Sequence, residues 1–215
     1  MRCLISAGPT REWIDPVRFI SNPSSGKMGY ALAKAAKDLK MEVSLISGPV
    51  NLPNPQGVHL VRIETALEMQ EAMESHFAEN DLIIMCAAVC DHRPSVRYDM
   101  KLPKDEFPDR IIFKRNPDIL KILGSKKKRN QVLVGFAAET ADILNSAQNK
   151  LKAKNLDWIV ANDVSKNDIG FSSDINEVTL ISADGLQKQI PSNKKAKIAK
   201  EILDSIYPTC LEKVH

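Results

Sequence analysis

The chain has 215 residues, 43% of them hydrophobic and 27% charged, which suits one globular domain spanning residues 1–215 with a sizeable core. Lys and Arg number 30 against 27 Asp and Glu, and this +3 balance, spread along the chain, speaks against a nucleic-acid partner. No apolar run approaches the roughly 20 residues of a membrane helix, the amino terminus does not read as a signal peptide, and Cys3, Cys86, Cys90 and Cys210 lack paired zinc spacing, so we expect a cytoplasmic protein with reduced thiols.

Residues 3–6 read as a first strand. After a polar loop, Met28, Ala31, Leu32, Ala35, Ala36 and Leu39 recur at intervals of three and four, the buried stripe of a helix. Residues 43–46 and 59–63 are further strands, and Thr65 with Glu68 forms a capping box that opens a second helix. Residues 82–86 are the most apolar strand and are expected at the centre of the sheet. Residues 95–114 lack helical period and are interrupted by Pro103 and Pro108, which suggests an excursion, either a flap or a dimer contact. Asn116-Pro117-Asp118-Ile119 reads as a helix start with Asp118 in the first turn, and the 126–129 charge run as a solvated turn. Strands over 132–136 and 158–161 and a hairpin over 178–190 complete the chain. Short apolar runs alternating with helical segments give an α/β class, a Rossmann-like, doubly wound, mostly parallel sheet with a flap and a carboxyl-terminal hairpin.

Ligands of such sheets gather at the carboxyl ends of the strands. The loop after the first strand runs through Asn22, Ser24, Ser25, Gly26 and Lys27 into a helix start, where backbone N–H groups can hold phosphate. It is neither a Walker loop, since Met28 follows Lys27, nor a GxGxxG fingerprint, since Pro9 follows Gly8. On local grounds Ser24 or Ser25 can equally be a helix cap, and Lys27 a solvated side chain. After the central strand, Ala87 and Ala88 admit a ligand to the backbone, and Asp91 is either an acceptor or a turn residue. Phe136 either stacks on a base or packs in the core. Lys150 and Lys154, four apart on one helix face, repel unless an anion such as a polyphosphate lies between them. Lys101 and Lys104 read locally as exposed loop lysines, and His92 has no partner pattern that marks a metal ligand.

In sequence, SAGPTREWIDPVRFISNPSSGKMGYALA, LISGPVNLPNP, AAVCDHRP, NPDIL, VGFAAET and KNLDWIVANDVS make the chain resemble the bacterial phosphopantothenoylcysteine synthetases, over almost its whole length. The resemblance implies a Rossmann-like homodimer, here a stand-alone form without a decarboxylase domain and therefore without flavin. It implies that 4'-phosphopantothenate and L-cysteine are joined with CTP and Mg²⁺ through an acyl-cytidylate. It implies that Asn22 binds the acyl intermediate and supports its conversion by cysteine, that Lys101 serves activation, and that Asp91, Lys101, Asn116, Pro117, Asp118, Ile119, Phe136, Lys150 and Lys154 bind nucleotide. Ala87 and Ala88 would present backbone to the substrate, and Arg18 would reach the substrate phosphate of the neighbouring subunit, placing the site near the interface. The Mg²⁺ ligands stay unassigned. Two positions depart from the family pattern: a Lys-x-Lys-Lys segment is Lys101-Leu102-Pro103-Lys104, and His92 replaces an aromatic after the motif aspartate. Relatives outside bacteria use ATP, which is the alternative co-substrate. A nicotinamide oxidoreductase lacks its fingerprint here, and a non-catalytic ligand-binding module on the same fold is the remaining alternative.

Overall fold

The computed structural model describes residues 1–139, 143–163 and 173–214. In chain order these form β1 (Arg2–Ala7), β2 (Arg11–Trp13), β3 (Phe19–Ser21), α1 (Lys27–Asp38), β4 (Glu42–Ser47), β5 (His59–Arg62), α2 (Ala66–Phe77), β6 (Leu82–Met85), β7 (His92–Pro94) and β8 (Phe113–Arg115). There follow α3 (Ile119–Lys126), β9 (Val132–Glu139), α4 (Ile143–Ala153), β10 (Trp158–Asp163), β11 (Ile175–Ser182), β12 (Gln187–Lys194) and α5 (Lys195–Val214).

The main sheet has the order β12-β11-β10-β9-β6-β1-β4-β5. From β5 to β10 every neighbour is parallel, with Ile5 opposite Leu45 on one side and Ile84 on the other; β11 and β12 then add an antiparallel hairpin at the β10 edge. This is the doubly wound α/β sheet with a terminal hairpin that the sequence pattern implies. Alternate residues divide between two cores. Cys3, Ile5, Leu82 and Ile84 pack with Leu32, Ala36, Ile198 and Ile202 of α1 and α5, whereas Leu4, Ile83 and Leu133 pack with Met69, Met73, Leu123 and Leu151 of α2, α3 and α4. Because both faces are covered, the central strands are continuous apolar runs.

Several expectations shift in detail. The polar loop after β1 contains the β2–β3 hairpin, held by the edge-to-face pair Trp13 and Phe19 at 5.0 Å. The excursion leaves and rejoins through the β7–β8 ribbon, so Lys114 belongs to a strand. Thr65 caps α2 as expected, but Glu68 accepts from the N–H of Glu64 instead of that of Thr65. Asp118 is the N-cap of α3, accepting from the N–H of Lys121 at 3.0 Å, and not a first-turn residue. The charge run is only partly solvated: Lys126 closes α3 and contacts Glu74, and Lys127 turns inward onto Asp157 at 3.0 Å.

The first turn of α1 lies directly on the end of β1. Gly26 has φ 75°, the left-handed region that glycine enters at little cost. At Gly29 a Cβ would stand 2.5 Å from the Cβ of Ala7 and 3.2 Å from the carbonyl oxygen of Ser6, so only hydrogen fits. Gly29→Ala is therefore expected to lower stability by about 1–3 kcal/mol through overpacking, outweighing the roughly 1 kcal/mol that alanine gains in a helix. A urea midpoint equal to that of the wild type would show that α1 shifts freely.

Candidate active site

Strand order reverses between β1 and β6: the chain winds outward through β4 and β5, then returns to β6 on the other side of β1. A crevice opens at such a switch point, and the backbone groups beyond the strand ends need other partners. Side chains supply them. The buried Ser6 hydroxyl accepts from the N–H groups of Cys86 and Ala87, both at 3.1 Å, and Thr10 Oγ1 accepts from Cys90 N–H at 3.0 Å. Ala88 N–H donates to Gly8 O at 2.9 Å, and Thr10 N–H to Ala88 O at 3.3 Å, so the two loops run as a short parallel bridge.

Asn22 spans this bridge. Its Nδ2 donates to the carbonyls of Ala88 and Val89 at 3.1 and 3.2 Å, which fixes the amide orientation because an oxygen could not face two carbonyls. Asn22, the first turn of α1, and the 86–89 shelf line a cavity of about 440 Å³, together with Asp91, Phe136 and Lys150. A second cavity of about 480 Å³ shares Ala87, Val89, Asp91 and Phe136 as its wall and is closed by Asn116, Pro117, Asp118, Ile119 and Lys154. Asn116 is fixed in place, its Nδ2 donating to Cys90 O at 2.8 Å while its Oδ1 accepts from Arg93 at 2.6 Å. α4 ends at Ala153, so Lys154 stands in the following turn, 2.9 Å from Asp118; Lys150 lines one cavity and Lys154 the other. Arg18 and Lys101 line neither cavity. Lys101 is exposed on the excursion, and Arg18 lies at its base.

Local sequence reading did not single out Asn162, Asn176 and Lys195, which β10, β11 and the start of α5 bring to the first cavity. Asn162 stood inside a quoted motif, but nothing in a strand pattern says which face of the last turn meets a ligand. Thr140 of VGFAAET and Val164 and Ser165 of KNLDWIVANDVS lie outside the described residues. Burial lowers the pKa of Lys195, as does the neighbouring charge of Lys27. Burial pushes the Cys86 thiol in the cavity wall up to about 12, which keeps it protonated and disqualifies it as a nucleophile at neutral pH.

The family model described as the DNA/pantothenate metabolism flavoprotein C-terminal domain matches residues 1–209. The coenzyme A biosynthesis bifunctional protein CoaBC of Bacillus subtilis (strain 168) is 50% identical over 204 residues, covering 94% of this chain and 50% of that protein. The chain thus spans about half the length of the curated relatives it matches. The crystal structure of the C-terminal domain of a coenzyme A biosynthesis bifunctional protein CoaBC is similar with TM-score 0.84 and 43% identity, over 98% of this chain and 96% of its own. A Cab2 variant in complex with phosphopantothenate-cysteine has TM-score 0.78 at 17% identity, over 99% of this chain and 87% of its own, a likeness of fold alone.

The excursion is tied to the loop before β3 by one buried carboxylate. Asp15 is fully buried and accepts from the N–H groups of Val17 and Arg18 and from Arg18 Nη1, all at 2.8 Å, and from Leu102 N–H at 3.4 Å. The Arg18 guanidinium then stacks on Phe107 at 4.3 Å, inside the excursion. Burial acts to raise the Asp15 pKa, but the Val17, Arg18 and Leu102 N–H groups and the Arg18 charge together hold it below the ordinary value. A depressed carboxyl stabilises the fold above its unfolded pKa of about 4, and that contribution is lost as pH falls through the lower folded value. Asp15→Asn should therefore lose stability at neutral pH and show a flatter stability profile below pH of about 4, measured by thermal unfolding across pH. An unchanged profile would remove Asp15 from this role.

Proposed function

The chain belongs to the DNA/pantothenate metabolism flavoprotein C-terminal domain family, and on that premise we propose that it is a ligase of coenzyme A biosynthesis joining 4'-phosphopantothenate and L-cysteine with CTP as co-substrate. The observation that carries this reading is Asn22. It is a neutral amide clamped across two carbonyls in the switch-point crevice, opposite a helix start and beside two cavities that share one wall.

A carboxylate is a poor acyl donor until one oxygen becomes a good leaving group. In the proposed first step a phosphopantothenate carboxylate oxygen attacks the nucleotide α-phosphorus and pyrophosphate leaves. In the second, the cysteine amine nitrogen attacks the acyl carbon and loses its proton, and CMP leaves. Both steps move negative charge onto phosphate oxygens, so fixed positive charge and N–H dipoles there lower the barrier. Lys150 and the N–H groups at the start of α1 face the first cavity and suit phosphates. The second cavity, with Phe136, Pro117 and the Lys154–Asp118 pair, suits the base and sugar. Ala87 and Ala88 offer backbone where a side chain would obstruct a substrate. Mg²⁺, when bound, would neutralise triphosphate charge, and Asp91 is the carboxylate of the first cavity's wall that could hold it.

Lys101 is assigned to activation by the excursion folding over the nucleotide, and Arg18 to the phosphopantothenate phosphate in a homodimer, which requires its guanidinium to exchange its Asp15 contact for the substrate. Among the described residues no helix is long and apolar enough to cross a membrane.

Pyrophosphate release by the purified protein with Mg²⁺ should require phosphopantothenate and prefer CTP over ATP. A preference for ATP would change only the nucleotide, and no release with either would overturn the ligase. Lys101→Gln should reduce that release by about 10²-fold, whereas Asn22→Asp should permit release but slow amide formation by about 10²-fold, since a carboxylate oxygen would replace the donor facing two carbonyls. Wild-type turnover in either variant removes the role assigned to that residue.

A further inference from the structure

The LISGPVNLPNP segment, which carries β4 into the loop beyond it, has no part in the assignments above. That loop grips both the end of β1 and the start of α1. Gly48 N–H donates to Ala7 O at 2.9 Å, and Gly48 packs so close to the Pro9 carbonyl oxygen that no Cβ fits. Tyr30 of α1 donates to the Ser47 hydroxyl at 3.2 Å, and Ser47 in turn to Gly48 O at 2.9 Å, both contacts buried. Two residues on, Val50 reaches a socket made by two glycines. Gly8 and Gly26 both have left-handed backbone, φ 76° and 75°, and the Val50 Cγ1 methyl stands where either would carry a side chain. A Cβ on Gly26 would lie 2.6 Å from that methyl, and one on Gly8 3.0 Å.

Glycines at a strand end ordinarily let a ligand approach the backbone. Here the space left by their missing side chains is filled by protein. Gly8 and Gly26 line the first cavity, whereas Val50 lines a third, of about 550 Å³, which shares Ser24, Ser25 and Lys27 with the first. Side-chain capping does not fix the turn between them: Gly26 opens α1 without a side-chain cap, and its own N–H meets Ser24 Oγ at 3.3 Å. A branched side chain with few rotamers can fix it by shape. We propose that Val50 is a positioning residue of the active site. Its methyl, seated between Gly8 and Gly26, sets the turn from which α1 starts, and so aims the first-turn N–H groups at the nucleotide phosphates. The role rests on the ligase reading. It is confined to the phosphate end, because Asn22 is fixed separately by the carbonyls of Ala88 and Val89.

The test uses the full chain and steady-state amide formation, with nucleotide, phosphopantothenate and cysteine varied separately. Val50→Ala removes the plug without removing a residue that lines the first cavity, and should raise the KM for the nucleotide by about tenfold, with the other two KM values within about twofold. Val50→Thr keeps the branched shape and should hold all three within about twofold of the wild type. A loss of folding stability alone would lower the unfolding temperature without this split. The contact itself is read from a double-mutant cycle. Gly26→Ala carries its left-handed strain in either background but meets the Val50 methyl in one only, so it should lower the urea midpoint less in Val50→Ala than in the wild-type chain. Additive midpoints would overturn the role while leaving the ligase intact, as would a nucleotide KM in Val50→Ala that is unchanged or matched by equal rises for the other substrates. Wild-type protein that releases no pyrophosphate with any nucleotide would overturn the ligase reading, and this role with it.

Discussion

The arrangement of this molecule depends on how β1 and β6 part company. Two parallel strands that diverge at a switch point leave a row of N–H groups with no ladder to join, and a crevice lined by unmet donors would close on itself or fill with water. Here the Ser6 hydroxyl takes two of them and Thr10 a third, while the Gly8–Ala88 and Thr10–Ala88 contacts carry the pairing one step further. The shelf that results is rigid and presents small residues at the sheet's carboxyl edge. Asn22 then uses the shelf's own carbonyls as its mounting, so its orientation is inherited from the strand split and not from its own loop.

Charge is organised around the same edge. Lys27, Lys150 and Lys195 line one cavity and Lys154 the other. The carboxylates that balance the loops are turned away from the cavities. Asp15 holds the Arg18 loop to the excursion, and Glu12, nearly fully buried, accepts from Ala66 N–H at the amino end of α2 at 2.9 Å, where the helix dipole favours an anion. Asp91 is the exposed carboxylate shared by both cavity walls.

Much of the fold was readable from periodicity alone. The strands at 3–6, 43–46, 82–86, 132–136 and 158–161 were apolar runs because both faces of a parallel sheet are covered, and α1 showed its stripe because only one side of it meets the core. What escaped was short and two-sided. The β2–β3 and β7–β8 ribbons have three-residue strands, too brief for a period to emerge. Lys127 looked solvated because its partner, Asp157, is 30 residues away. Capping was half legible: Thr65 is local, but whether Glu68 reaches residue 64 or 65 depends on how the chain enters the helix.

For the site, the sequence by itself determined the inventory: a glycine-marked helix start, small residues after the central strand, a lysine-bearing excursion, and motifs that place the chain in its family. Their chemistry is local, so residue types in order suffice to show it. Only the tertiary structure decided which of them meet. It brought Asn22 to the carbonyls of residues 88 and 89, sent Lys150 and Lys154 to different cavities, folded Arg18 onto Asp15 and Phe107, and delivered Asn162 and Lys195 to a wall that neither strand nor helix pattern announces. The reason is geometric: a switch-point crevice collects the ends of strands far apart in the chain, and the direction of a side chain there is set by loops whose partners are equally distant.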